Sequence, residues 1–193
     1  MEQEKGEVMA KQRLNRIAAV LVAVFMVLAL IPTNALAATN KTVKSLGFSN
    51  GMRETILKKD AVVKKGTTNL TFAKKSGWVT FVAPATKTYT FTFSNLKCSN
   101  KKCQSAVVSA YTWPSKYSPY VMNKTISTEG GKSDALRLCV NGTKFPTKGV
   151  AKVDQWIASR TAKIKLKKGQ RMYFFVNYNN SSQLTAKLVV KQL

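Results

Sequence analysis

Lys87-Thr88-Tyr89-Thr90-Phe91-Thr92-Phe93-Ser94 decides the fold of this chain. Tyr89, Phe91 and Phe93 alternate with Thr88, Thr90 and Thr92, a period of two in residue types that favour a pleated strand. One face is aromatic and suits a core, while the other is hydroxylated and suits water. The stretch predicts a half-buried strand in an antiparallel sheet.

The same logic recurs on both sides of it. Downstream, Ile164 and Leu166 face inward while Lys163, Lys165 and Lys167 face outward, Lys168-Gly169-Gln170 turns, residues 172–178 form a full aromatic strand, and Ala186, Leu188 and Val190 close the chain. Upstream, Leu70 and Phe72 alternate, and residues 77–83 are apolar on both faces, which predicts a strand covered on both sides and ended by Pro84. Further strands are expected at residues 104–111, 136–140 and 153–158, with Trp78 and Trp156 as core residues and Asn141-Gly142 as a turn. Residues 39–44 read as polar and frayed, and residues 51–65 fit a first strand or a single helical turn equally well. About nine short strands with turns at this spacing predict an all-β protein, an antiparallel β-sandwich or jelly roll.

The N-terminus reads as a leader. Lys11, Arg13 and Arg16 precede an apolar run of about 15 residues from Ile17 to Ile31, followed by Pro32 and Ala35-Leu36-Ala37, the pattern of a secretory signal peptide cleaved after Ala37. The run is shorter than the roughly 20 residues of a spanning helix, which argues against a membrane anchor. Glu2, Glu4 and Glu7 lie ahead of the basic cluster, so Met9 gives the cleaner start. The expected organisation is a signal peptide and signal helix over 1–37, an extension or first strand over 38–66, and a sandwich domain over 67–193. The expected location is extracellular, free or held at a cell surface, with no transmembrane span after residue 37.

Charge narrows the partners. The chain carries 32 Lys and Arg against 8 Asp and Glu, a formal +24, and after the leader the acids are Glu54, Asp60, Glu129, Asp134 and Asp154. Such an excess favours an anionic wall polymer or polysaccharide, with nucleic acid bound only non-specifically. Beyond residue 37 the arginines are Arg53, Arg137, Arg160 and Arg171; the other cations are lysines, which act as hydrated point charges rather than bidentate readers of bases. Lysine also guards strand edges and solubility, and that reading stands beside the first.

Chemistry is limited by what the chain lacks. With no histidine there is no Ser-His or Cys-His pair and no imidazole acid or base. Glu129 and Asp134 are close in sequence but sit in a glycine-rich, solvated loop, where they need no catalytic explanation. Gly130-Gly131-Lys132-Ser133 fails as a phosphate loop because Ile126 stands where the first glycine belongs, and Ser94-Asn95-Leu96-Lys97 matches S-x-x-K without its companion motifs. No enzyme activity, metal or cofactor is expected. Cys98, Cys103 and Cys139 follow the leader, where export permits a disulfide; Cys98 with Cys103 closes a short loop, and Cys139 with either of them is the alternative.

Two clusters are candidates for binding. Tyr111, Trp113, Tyr117 and Tyr120 with Lys116 lie on a long, turn-rich segment and offer flat faces for sugar rings with a cation beside them. Alternatively, Trp113 and Tyr120 fold back and cap one end of the sandwich. Lys163, Lys165 and Lys167, with Lys168 and Arg171 near their turn, form a cationic strip on one sheet face. These readings lead to a non-catalytic module for an anionic or carbohydrate surface polymer; the alternative is a structural or adhesion module docking a protein by edge-strand pairing.

Residues 78–93, reading as strand, proline and Thr86-Lys87-Thr88-Tyr89-Thr90-Phe91, together with residues 164–176 and 184–190, resemble the bacterial pre-peptidase C-terminal domain. The resemblance spans roughly residues 67–192 and implies a small jelly-roll sandwich acting as a non-catalytic accessory module. That family typically has glycine where this chain has Lys87, and often carries acidic loop residues able to hold calcium, which here are few and scattered.

Overall fold

The aromatic face of residues 89–93 becomes the inner side of a central strand in the larger of two packed sheets. The structure is a computed structural model that describes residues 37–43, 61–73, 76–112, 122–179 and 182–193, all within the unit Ala37–Leu193. Its strands are β1 (Thr39–Val43), β2 (Ala61–Val63), β3 (Gly66–Phe72), β4 (Gly77–Val82), β5 (Lys87–Cys98), β6 (Ser105–Thr112), β7 (Met122–Asn123), β8 (Ile126–Thr128), β9 (Gly131–Ser133), β10 (Ala135–Cys139), β11 (Ser159–Leu166), β12 (Arg171–Tyr178) and β13 (Leu184–Gln192). A 7-stranded sheet runs β1-β3-β13-β5-β11-β8-β9; a 6-stranded sheet runs β10-β6-β12-β4-β2, with β7 paired to β6.

Eight of these strands give the order β3-β13-β5-β11 in one sheet and β10-β6-β12-β4 in the other. Their pairings are antiparallel and the chain crosses repeatedly between sheets, which is a jelly roll. The expectation of purely antiparallel sheets is corrected at two edges, where β1 runs parallel to β3 and β2 parallel to β4. Residues 39–43, read as frayed, are a strand. Their side chains are exposed except Val43, so β1 has no alternation to read. Backbone pairing holds it, helped by Asn69 Nδ2 donating to Asn40 Oδ1 at 3.1 Å.

The core is built where aromatics of the two sheets interdigitate. Phe81 meets Tyr89 and Phe91 at 5.0 and 5.2 Å between ring centroids, and Phe174 meets Phe91 and Phe93 at 4.9 and 5.3 Å. The Tyr89 hydroxyl donates to the Ala85 carbonyl at 2.8 Å, and the Tyr178 hydroxyl donates to the Phe72 carbonyl at 3.1 Å, so both phenols bury without losing their hydrogen bonds. At Asn95, with φ of 54°, an extra residue enters β5 and the pairing with β13 shifts between Thr185 and Lys187. This bulge changes the phase, so Leu96 rather than residue 95 is buried after Phe93.

Strand β4 is covered on both sides, as its composition predicts. Val79 and Phe81 join the inter-sheet core, whereas Trp78 and Thr80 face the other way and are also buried. Trp78 is therefore inside, but among Tyr111, Phe175 and Tyr173 on the far side of the smaller sheet, at 5.2, 4.9 and 6.4 Å.

Residues 153–158 are not the expected strand. They form turns with one isolated bridge, Ile157 to Leu138, and Trp156 is partly exposed rather than in the core. Asp154 N–H and Gln155 N–H both donate to the Ala151 carbonyl, which winds the segment before it can extend. Cys98 and Cys103 are disulfide-bonded and Cys139 is a buried free thiol, which resolves the open pairing. Phe174→Ala is expected to lower stability by about 3–5 kcal/mol, because the cavity opens against both Phe91 and Phe93. Urea denaturation checks this, with a lower midpoint at an unchanged slope.

Candidate functional site

Residues paired across neighbouring strands point to the same side of a sheet. Since Tyr89, Phe91 and Phe93 point inward, Thr88, Thr90 and Thr92 and their partners line the outer face of the larger sheet. The registers place Lys191, Thr90, Lys163, Ser127 and Lys132 in a single row across β13, β5, β11, β8 and β9. Ammonium and hydroxyl groups alternate along it, with successive lysine Cα positions two strands apart, about 10 Å. Lys165 pairs with Thr88 in the next row, and Val189, Thr92 and Thr161 fill the row on the other side, where the two threonine hydroxyls are 2.9 Å apart. Beyond it, Lys187 pairs with Ser94 and Asn69. The lysines are exposed and the hydroxyls of β5 half-buried among them.

A shallow depression of about 240 Å³ opens in this face, lined by Thr90, Ser127, Thr128, Glu129, Thr161 and Lys163. Glu129, at the tip of the β8–β9 hairpin, accepts from the Thr161 N–H at 2.8 Å and from the Thr128 hydroxyl at 2.7 Å. Partial burial alone would raise its pKa, but these hydrogen bonds outweigh the burial and hold the carboxyl below its ordinary value. The carboxylate is thus committed to holding the hairpin against β11.

The hairpin is fixed from the other side by close backbone approach. A Cβ at Gly130 would fall 2.2 Å from the Val153 nitrogen, so only glycine fits. Beneath this contact lies Arg160, 1% exposed, whose Nη2 donates to the carbonyls of Lys152 and Gln155 at 3.2 and 2.5 Å. Its Nε and Nη1 find no acceptor among the described residues. Burial holds the guanidinium pKa below its ordinary value, and the nearby Glu129 offsets only part of that. On the surface of the same turn Arg137 and Asp154 pair at 2.8 Å.

Of the residues singled out from sequence, Lys163 and Lys165 lie on the outer face, and Lys167 is exposed just past β11. Tyr111 lies in β6, within the strand expected over 104–111, and packs on Trp78, and burial pushes its phenol pKa up. Trp113, Lys116, Tyr117 and Tyr120 lie outside the described residues. The structure adds Thr90, Ser127, Glu129, Lys132 and Lys191 to the lysine face. The alternation of Thr88, Thr90 and Thr92 was a legible signal for an outer face, but nothing local names the strands beside it. A second surface group also emerges: Phe145 and Trp156, both partly exposed, stack with centroids 5.4 Å apart and planes inclined by 31°. Among the described residues, no three His, Cys, Asp or Glu gather as a metal site, and no helix is long and apolar enough to cross a membrane.

Gly130→Ala is expected to cost about 1–3 kcal/mol through overpacking against Lys152 and Val153, read as a lowered thermal midpoint. Glu129→Gln should destabilise at neutral pH, and the difference from the native protein should shrink as pH falls. The stabilisation comes with a lowered folded-state pKa, so it is present above the unfolded value and lost below the ordinary carboxylate range of about 4. Thermal melts of both proteins across acidic and neutral pH check the sign.

No family model matches the chain, and no curated protein matches its sequence. Among solved structures it is similar to CorA of Methylomicrobium album BG8, a surface-associated copper-binding protein important in copper acquisition, at a TM-score of 0.40 and 10% identity, covering 79% of this chain and 100% of that one. A likeness this distant carries no function across.

Proposed function

We propose that this is a secreted, non-catalytic module that binds an anionic cell-surface polymer through the outer face of its larger sheet. The observation that carries the reading is the row Lys191, Thr90, Lys163, Ser127 and Lys132. A lysine beside an anionic surface contributes about 1 kcal/mol, screened over roughly 8 Å at physiological salt. Several in register therefore make useful affinity only with a ligand that spans them. A polymer with repeated phosphate, sulfate or carboxylate groups does so, and the intervening hydroxyls offer hydrogen bonds to its backbone. Glu129, the acid beside the row, is held down by Thr161 and Thr128 rather than projecting toward a ligand. The leader at residues 11–37 supports export, and the lack of histidine supports a binding role over catalysis. The resemblance to the pre-peptidase C-terminal domain is carried as part of this proposal, since its jelly-roll expectation suits the strand order. Strand addition, the alternative, loses one of the four sheet edges, since the outer edge of β10 is already bridged by Ile157.

Affinity electrophoresis in gels containing polyphosphate or dextran sulfate, against neutral dextran, tests the reading. Retardation is expected only with the polyanions and should fall steeply with salt. Lys132→Gln, Lys163→Gln and Lys191→Gln together should weaken binding about a hundredfold, whereas neutralising the loop lysines Lys101, Lys102 and Lys144 should do much less. Equal loss in the two triple variants would mean that net charge, not this face, is responsible.

A further inference from the structure

We infer that Trp156, braced by Phe145, is a stacking site for a pyranose ring, and that it takes β-linked sugar chains independently of the lysine face. The stacked pair belongs to the connection between β10 and β11, on the border of the smaller sheet. At 5.4 Å between centroids and 31° between planes the two rings are tilted against each other in direct aromatic contact. Neither ring is buried, although thirty-three other apolar side chains of the described residues are.

The backbone around Trp156 is fixed on both sides. Ile157 is bridged to Leu138, with the Cys139 N–H donating to the Ile157 carbonyl at 3.0 Å. On the other side the Gln155 carbonyl accepts from the buried Arg160, and Gln155 Nε2 donates to the Val150 carbonyl at 3.0 Å. An indole left partly in water on a backbone this constrained is organised before any ligand arrives, so little ordering is required on binding.

The polar surroundings suit a sugar. Asp154, two residues before Trp156, pairs with Arg137 at 2.8 Å, and the two side chains remain 48% and 34% exposed. Together they offer donors and acceptors to hydroxyls without a net charge. A β-linked pyranose with equatorial substituents presents a broad C–H face to an aromatic ring and a rim of hydroxyls to such a pair. A nucleic-acid strand would stack as well, and oligothymidylate therefore serves as the competing ligand in the test.

The experiment uses the protein from residue 38 onward with its three tryptophans labelled at the indole nitrogen, the Trp156 signal being identified with Trp156→Phe. Cellohexaose, chitohexaose and oligothymidylate are titrated at about 1 M salt, where the screening length is about 3 Å and the lysine face is silenced. The expected result is a saturable shift of the Trp156 signal with at least one of the hexaoses. Trp156→Ala should weaken that binding at least about tenfold, and Trp156→Tyr should stay within about threefold of the native protein, as stacking requires. The triple variant Lys132→Gln, Lys163→Gln, Lys191→Gln should bind the hexaose normally, so this site and the polyanion face fail or succeed separately. A Trp156 signal unmoved by both hexaoses, or moved only by oligothymidylate, overturns the inference. Because the titration is made on the native protein, misfolding of a variant does not blur the outcome.

Discussion

The packing of Tyr89, Phe91 and Phe93 against Phe81 and Phe174 is the interaction on which the rest depends. A strand has two faces and a period of two, so committing one set of side chains to the core commits the set between them to solvent. In β5 the committed set is aromatic and the displayed set is Thr88, Thr90 and Thr92. Flanking strands obey the same rule: Ala162, Ile164 and Leu166 bury while Lys163 and Lys165 emerge, and Leu188 and Val190 bury while Lys187 and Lys191 emerge. The cationic face is thus the reverse side of the core, and the backbone that carries it is set by the same packing.

A different kind of contact positions the edge of that face. Only Ile126 of the β8–β9 hairpin reaches the core; its tip is held by Glu129 accepting from Thr161 and by Gly130 lying against the 152–153 backbone. Arg160 ties the opposing turn from below by binding its carbonyls. Burying a guanidinium with unpaired N–H groups is costly, so these hydrogen bonds must offset much of that cost. The result connects the lysine row on one sheet with the turn that carries Trp156 at the border of the other. Two surfaces of different chemistry, one electrostatic and one aromatic, are held by the same small set of polar contacts.

Reading from sequence succeeded where side-chain periodicity was strong. Strands β5, β11 and β13 follow from alternation, β12 from its aromatic run, and β4 from its two apolar faces. It failed where backbone alone made the structure. The five residues of β1 are polar apart from Val43 and pair through main-chain groups, and residues 153–158 carry Trp156 in a pattern that mimics a strand while Ala151 and Arg160 wind the backbone into turns. The bulge at Asn95 was equally silent, because one extra residue leaves no mark on composition.

By itself the sequence determined that this is an all-β chain with an aromatic interior, a hydroxyl and lysine exterior and no imidazole chemistry, because each of these is a local property of residue type and spacing. It left open which cysteines join, and which lysines become neighbours. Only the tertiary structure decided that Lys132, Lys163 and Lys191, distant in the chain, fall into one row, that Cys98 rather than Cys139 bonds Cys103, and that Trp156 stays at the surface. The physical reason is that strand order and register are set by non-local pairing, which the alternation within a single strand does not encode.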